Sequence, residues 1–114
     1  MSLNALQVEF TEAQAKFQVW CFKNGYEIIE AEAFRTQEQA EIYAKAGKGI
    51  RNSAHCKKLA RDLFRVENGT VTWDKAAYEP LGKKWKTMHD LARWGGDFAN
   101  RDAVHFSFEY KGVK

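Results

Sequence analysis

The chain has 114 residues, enough for one packed domain and too few for two with separate cores. Hydrophobic residues make up 45% and aromatics 14%, which excludes a disordered chain. The net charge of +3 is mild and its basic residues are scattered, so a dedicated nucleic-acid surface is not indicated.

Phe10 to Lys23 reads as a helix. Thr11 with Gln14 forms a capping box, Phe17, Trp20 and Cys21 share one face, and Gly25 is the stop. Tyr26 to Phe34 reads as a strand. Thr36 with Gln39 opens a second helix, which runs to Ala46 and ends at Gly47. Lys48 to Lys58 is a polar loop carrying Ser53 and His55. Leu59 to Val66 reads as a strand closed by the turn Glu67-Asn68-Gly69, and Val71 to Trp73 pairs back briefly. Pro80 suits the first turn of a helix that runs to about Arg93 and stops at Gly95-Gly96. Val104 to Tyr110 is the last strand. This order predicts a single α+β domain over residues 1–114, with a small, mostly antiparallel sheet and flanking helices.

The N-terminus has no basic start followed by an apolar run, so neither a signal peptide nor a membrane span is read there. The chain is expected in the cytoplasm where it is made. The two cysteines, Cys21 and Cys56, lack close pairing. Cys21 reads as a buried thiol on a helix face, and Cys56 as a weak candidate ligand beside His55. No long apolar stripe is left unassigned, so a monomer is expected.

The chemistry-bearing residues are few. In the last strand Val104, Phe106, Phe108 and Tyr110 alternate with His105, Ser107 and Glu109, so His105 turns away from the main apolar stripe. Asp102 lies close upstream, within reach of a turn. Asp62 sits inside an apolar strand, where a carboxylate needs a partner: Arg61, Arg35 or a metal. Two imidazoles and one carboxylate make a sound ligand set for catalytic zinc. Spacing alone supports it weakly, because no His-Glu-x-x-His motif is present. Each residue also has a plainer reading. His55 and Ser53 suit a loop, Asp102 suits a turn after Asn100-Arg101, and Arg35 suits an ion pair with Glu32 or Glu38. His89 reads as part of an ordinary helix face.

Ser53-x-His55 followed by Asp62, with Asp102-x-x-His105 far downstream, resembles the signature of the LAS-type zinc peptidases. These include D-alanyl-D-alanine carboxypeptidases and phage L-alanyl-D-glutamate endopeptidases. The resemblance extends through Phe34-Arg35-Thr36, Leu59-Ala60-Arg61-Asp62-Leu63, Tyr78-Glu79-Pro80-Leu81-Gly82, Trp94-Gly95-Gly96 and His105-Phe106-Ser107. It is most like a small phage or prophage endolysin. It implies a hedgehog/DD-peptidase-like fold with one zinc ion held by His55, Asp62 and His105. It further implies that Asp102 is the general base, that Arg35 lies near the substrate, and that Ser53 positions the loop or the substrate. Trp94 is a candidate wall of the substrate cleft. One departure is Lys58, where many relatives have glycine. The implied substrate is a peptidoglycan stem peptide, reached after release of the protein from the host cytoplasm. The expected activity is hydrolysis of the L-Ala–D-Glu bond. The alternatives are a D-Ala-D-Ala carboxypeptidase and a catalytically silent, metal-containing binding module.

Overall fold

The computed structural model describes residues 1–114. In chain order the elements are α1 (Leu3–Lys23), β1 (Glu27–Glu30), α2 (Gln37–Lys45), a 3-10 turn (Ala54–Lys57), β2 (Ala60–Glu67), β3 (Thr70–Val71), α3 (Lys75–Lys86), β4 (Ala92–Trp94), a second 3-10 turn (Gly95–Asp97) and β5 (His105–Phe108). The strands pair antiparallel in the order β1-β2-β5-β4, with β3 attached to β2. The fold is α+β, as the sequence predicts.

α1 begins earlier than its Thr11 signal suggests. Ser2 is the cap, its Oγ accepting from the Ala5 amide at 3.1 Å. Thr11 lies inside the helix and donates its hydroxyl to the Gln7 carbonyl at 2.9 Å. Leu6, Phe10, Ala13, Phe17 and Cys21 recur at helical spacing and form the buried face. α2 begins as expected, with Thr36 Oγ1 accepting from the Gln39 amide.

α3 departs from expectation at both ends. Asp74 caps it, so Pro80 falls within the helix rather than in its first turn. It stops at Lys86, where the Thr87 hydroxyl bonds the Lys84 carbonyl at 2.7 Å. His89 therefore lies in a connecting turn, stacked on Phe108 at 4.3 Å between ring centroids. The segment predicted to finish the helix is instead β4, drawn into the sheet by pairing Ala92 with Phe108 and Trp94 with Phe106.

The core lies between α1, α3 and the sheet. Phe10 meets Phe108 edge-on at 5.1 Å, and Phe17 meets Phe106 at 5.2 Å. The Trp85 indole donates to the carbonyls of Arg93 and Ser107, so its one polar atom is satisfied while its ring is fully buried. Each such aromatic contributes roughly 2–3 kcal/mol by burial. All of β5 is buried, on both faces. Phe106 and Phe108 face the helices. His105 and Ser107 occupy the other face, which the alternation alone leaves open to solvent. No helix is long and apolar enough to cross a membrane.

Candidate metal centre

Asp62 and His105 are directly opposed on β2 and β5. The Asp62 amide donates to the Glu32 carbonyl at 2.7 Å, and its carbonyl accepts from the Ala31 amide at 2.9 Å. Both backbone groups thus point away from β5. Asp62 and His105 are therefore a non-hydrogen-bonded pair, the kind whose side chains stand closest. Asp62 Oδ1 lies 3.6 Å from His105 Nδ1.

His55 arrives from the first 3-10 turn. Ser53 caps that turn by accepting the His55 amide at 3.2 Å, and the Leu59 amide closes it on the Ala54 carbonyl. Lys58 ends it in the left-handed region, at φ 57°. That conformation suits glycine, which is the residue the resemblance leads one to expect there. Lysine keeps the turn, with Nζ 5.2 Å from the Phe34 ring centroid.

Beyond β1 the chain continues beside β2, which places the Ala33 carbonyl 2.7 Å from His55 Nδ1. A carbonyl only accepts, so Nδ1 carries the hydrogen. The Nε2 lone pair then faces Asp62 Oδ1 at 3.2 Å. Two electron-rich atoms at that distance require a proton or a cation between them. Burial disfavours charge on His55, but the Asp62 carboxylate outweighs it and raises the imidazole pKa. Burial likewise opposes charge on Asp62, yet bonds to His105 and His55 bring its carboxyl down to about 2.

One ligand atom each from His55, Asp62 and His105 lies within 4.8 Å of the other two. The Nε2 of His105 is buried without a hydrogen-bond partner. Two imidazoles, a carboxylate and a fixed tautomer suit a zinc ion with a position left open. Cys56 points elsewhere, its Sγ 3.9 Å from the Thr36 carbonyl. Cys21 is buried and its thiol is pushed up to about 12 by desolvation, which makes it unreactive.

Asp102 stands in the turn before β5. Its amide donates to the Gly95 carbonyl at 2.9 Å, and its own carbonyl accepts from His105 at 3.1 Å. Gly95 makes this turn possible, since a Cβ there would overlap the Asp102 carbonyl and the His105 Cβ. Burial and, less strongly, the charge of Asp62 raise the Asp102 carboxyl above the usual carboxylate range. Asp102, His55 and His105 open together onto a cleft of about 400 Å³, which Arg35 and Ser53 also line.

Arg35 is already engaged. Its Nε donates to Glu32 at 3.0 Å, Nη2 donates to the same carboxylate, and Nη1 approaches Ser53 Oγ at 3.5 Å. The guanidinium lies over the Tyr43 ring, and the Arg35 amide donates to the His55 carbonyl. Of the two acidic partners expected for Arg35, Glu32 is the one it meets. Trp94 is not in the cleft. It is 4% exposed, its indole donates to the Ala103 carbonyl, and its ring lies against Gly82 and Gly96, where a Cβ would clash with it. Gly96 of the Trp-Gly-Gly sequence and Gly82 on α3 thus leave room for the ring, while Gly95 makes room for the Asp102 turn. The sequence reading named Glu32 only as a possible partner of Arg35, and it missed Phe98, Lys48 and Lys114. The last three line the cleft from segments far apart in the chain.

The chain is similar in sequence to one known peptidase and in fold to another. Both are named for the L-Ala–D-Glu bond. Over 97% of its length the chain is 33% identical to the L-alanyl-D-glutamate peptidase of Listeria phage A118, and it spans 41% of that protein. The L-Ala D-Glu endopeptidase ChiX of Serratia marcescens shares the fold, with a TM-score of 0.66 and 20% identity over 75% of this chain and 69% of that one. No family model matches the chain.

Proposed function

We propose that this chain is a zinc-dependent endopeptidase that hydrolyses the L-Ala–D-Glu bond of peptidoglycan stem peptides, as a phage or prophage endolysin does. The observation that carries the reading is the meeting of His55, Asp62 and His105, two of which, His55 and His105, open onto the cleft that Asp102 also lines. Similarity to a phage L-alanyl-D-glutamate peptidase supports the choice of bond.

His55, Asp62 and His105 would hold the ion. Bound zinc supplies Lewis acidity, acidifying water and polarising a carbonyl. Asp102 takes the proton of the attacking water and delivers it to the amine as the C–N bond breaks. Glu32 and Arg35 hold the Ser53–His55 turn in place from one side, and Gly95 holds Asp102 from the other. Residues 1–114 form the peptidase unit in this reading, acting as a monomer on the peptidoglycan.

Digestion of purified peptidoglycan, with and without a chelator, tests the reading. New N-terminal glutamate that disappears with chelator is the expected result. Released D-alanine would instead mark a D-Ala-D-Ala carboxypeptidase. No product from zinc-loaded protein would mark a silent binding module.

A further inference from the structure

A substrate containing D-glutamate brings a free carboxylate to the cleft, since only one of the residue's two carboxyls continues the peptide. Arg35 is the cation expected to meet it. Yet Arg35 spends Nε and Nη2 on Glu32 and rests on Tyr43, so its charge is already balanced. Asp102 is the only acidic residue lining the cleft, whereas Lys48 and Lys114 both line it and neither makes an ion pair. They come from separate segments. Lys48 follows α2, with its amide anchored on the Tyr43 carbonyl at 2.8 Å. Lys114 places Nζ 4.8 Å from the Phe98 ring centroid, and that ring lies 5.5 Å from the His105 ring.

We infer that Lys48 and Lys114, rather than Arg35, are the specificity residues that bind the carboxylate of the acidic substrate residue. Arg35 becomes a positioning residue for the His55 turn. The inference rests on the proposed peptidase reading for its choice of ligand. An ammonium on a flexible stem, free of an acidic partner, is well suited to pair with an arriving carboxylate at the mouth of a cleft.

The test is calorimetric titration of the zinc-loaded protein with a D-glutamyl product peptide, which is not cleaved, and with its carboxamide. The acid should bind about tenfold more tightly than the amide, and added salt should narrow the gap. The Lys48→Met/Lys114→Met variant, with an unchanged melting temperature, should bind the two alike. Equal binding of acid and amide by the unaltered protein, or discrimination that survives in the double variant, overturns the inference. The peptidoglycan digest separates the two ideas. Acid preference without cleavage sinks the peptidase reading alone, and cleavage without acid preference sinks this inference alone.

Discussion

Asp62 and His105 face each other across β2 and β5 as a non-hydrogen-bonded pair, so two of the three candidate ligands are set by strand register alone. Replacing either one, as Asp62→Asn or His105→Ala, should lower zinc affinity by more than the roughly 10–100-fold typical of residues behind the ligands. Competition with a chelating dye measures this. Unchanged affinity in both variants would remove them from the ligand set.

Asp102 is assigned a different task, and its variant should behave differently. Asp102→Asn should bind zinc as the unaltered chain does, while its turnover falls about 10²–10⁴-fold. Zinc content and peptide cleavage on the same preparation decide it. Near-normal turnover would exclude Asp102 as the base.

The His55–Asp62 contact predicts a pH dependence that reverses with zinc. In the metal-free chain the His55 pKa is raised, so its stabilising contribution is complete below about pH 6.5 and is lost as pH rises through the folded value. The Asp62 pKa is lowered to about 2, so its contribution is present above its unfolded value and is lost as pH falls toward 2. The pair therefore favours the metal-free fold most between about pH 4 and 6.5. Zinc must displace the proton from His55, so the melting-temperature rise on adding zinc should be larger at about pH 7.5 than at about pH 5.5. A rise as large at the lower pH would contradict His55 as a ligand.

Lys58 holds a left-handed backbone at the end of the His55 turn. Lys58→Gly should stabilise the protein by about 0.5–1 kcal/mol, seen as a higher urea midpoint with an unchanged slope. Loss of stability would mean that the lysine's contact with Phe34 outweighs the backbone term.

Gly95→Ala forces a methyl group into the Asp102 carbonyl and the His105 Cβ. About 1–3 kcal/mol of destabilisation is expected. Turnover at a temperature where the variant is fully folded should fall as well, because the displaced group carries the base. Full activity in the folded variant would show that the turn can shift without moving Asp102.

Local signals were legible where local chemistry decides the outcome. The Thr36 cap and the Asn68-Gly69 turn depend on near neighbours and stand where they were read, while β5 keeps the predicted facing of His105 but is shorter than read and buried on both faces. The extent of α3 did not follow from local pattern. Residues after Lys86 keep enough apolar spacing to pass for helix, but pairing with β5 wins and makes them β4. The place of Trp94 was hidden for a similar reason, since its room comes partly from Gly82, on α3. The candidate ligands were nameable from their resemblance. Their convergence belongs to the register of β2 with β5 and to a carbonyl at Ala33, neither of which spacing reveals. Arg35 was legible as a site residue and its pairing with Glu32 or Glu38 as an alternative, but spacing did not show that Glu32 takes both Nε and Nη2.

The three donors differ in how they are held. Asp62 and His105 ride on paired strands, one of them buried on both faces, whereas His55 hangs from a short turn secured by Ser53, Ala33 and the Arg35 backbone. An ion bridging them would act as a crosslink, sewing a loop onto the sheet across a long stretch of chain. Chelation would then cut that stitch at its weaker end. The sheet would persist while the segment between α2 and β2 became the first place a protease could enter.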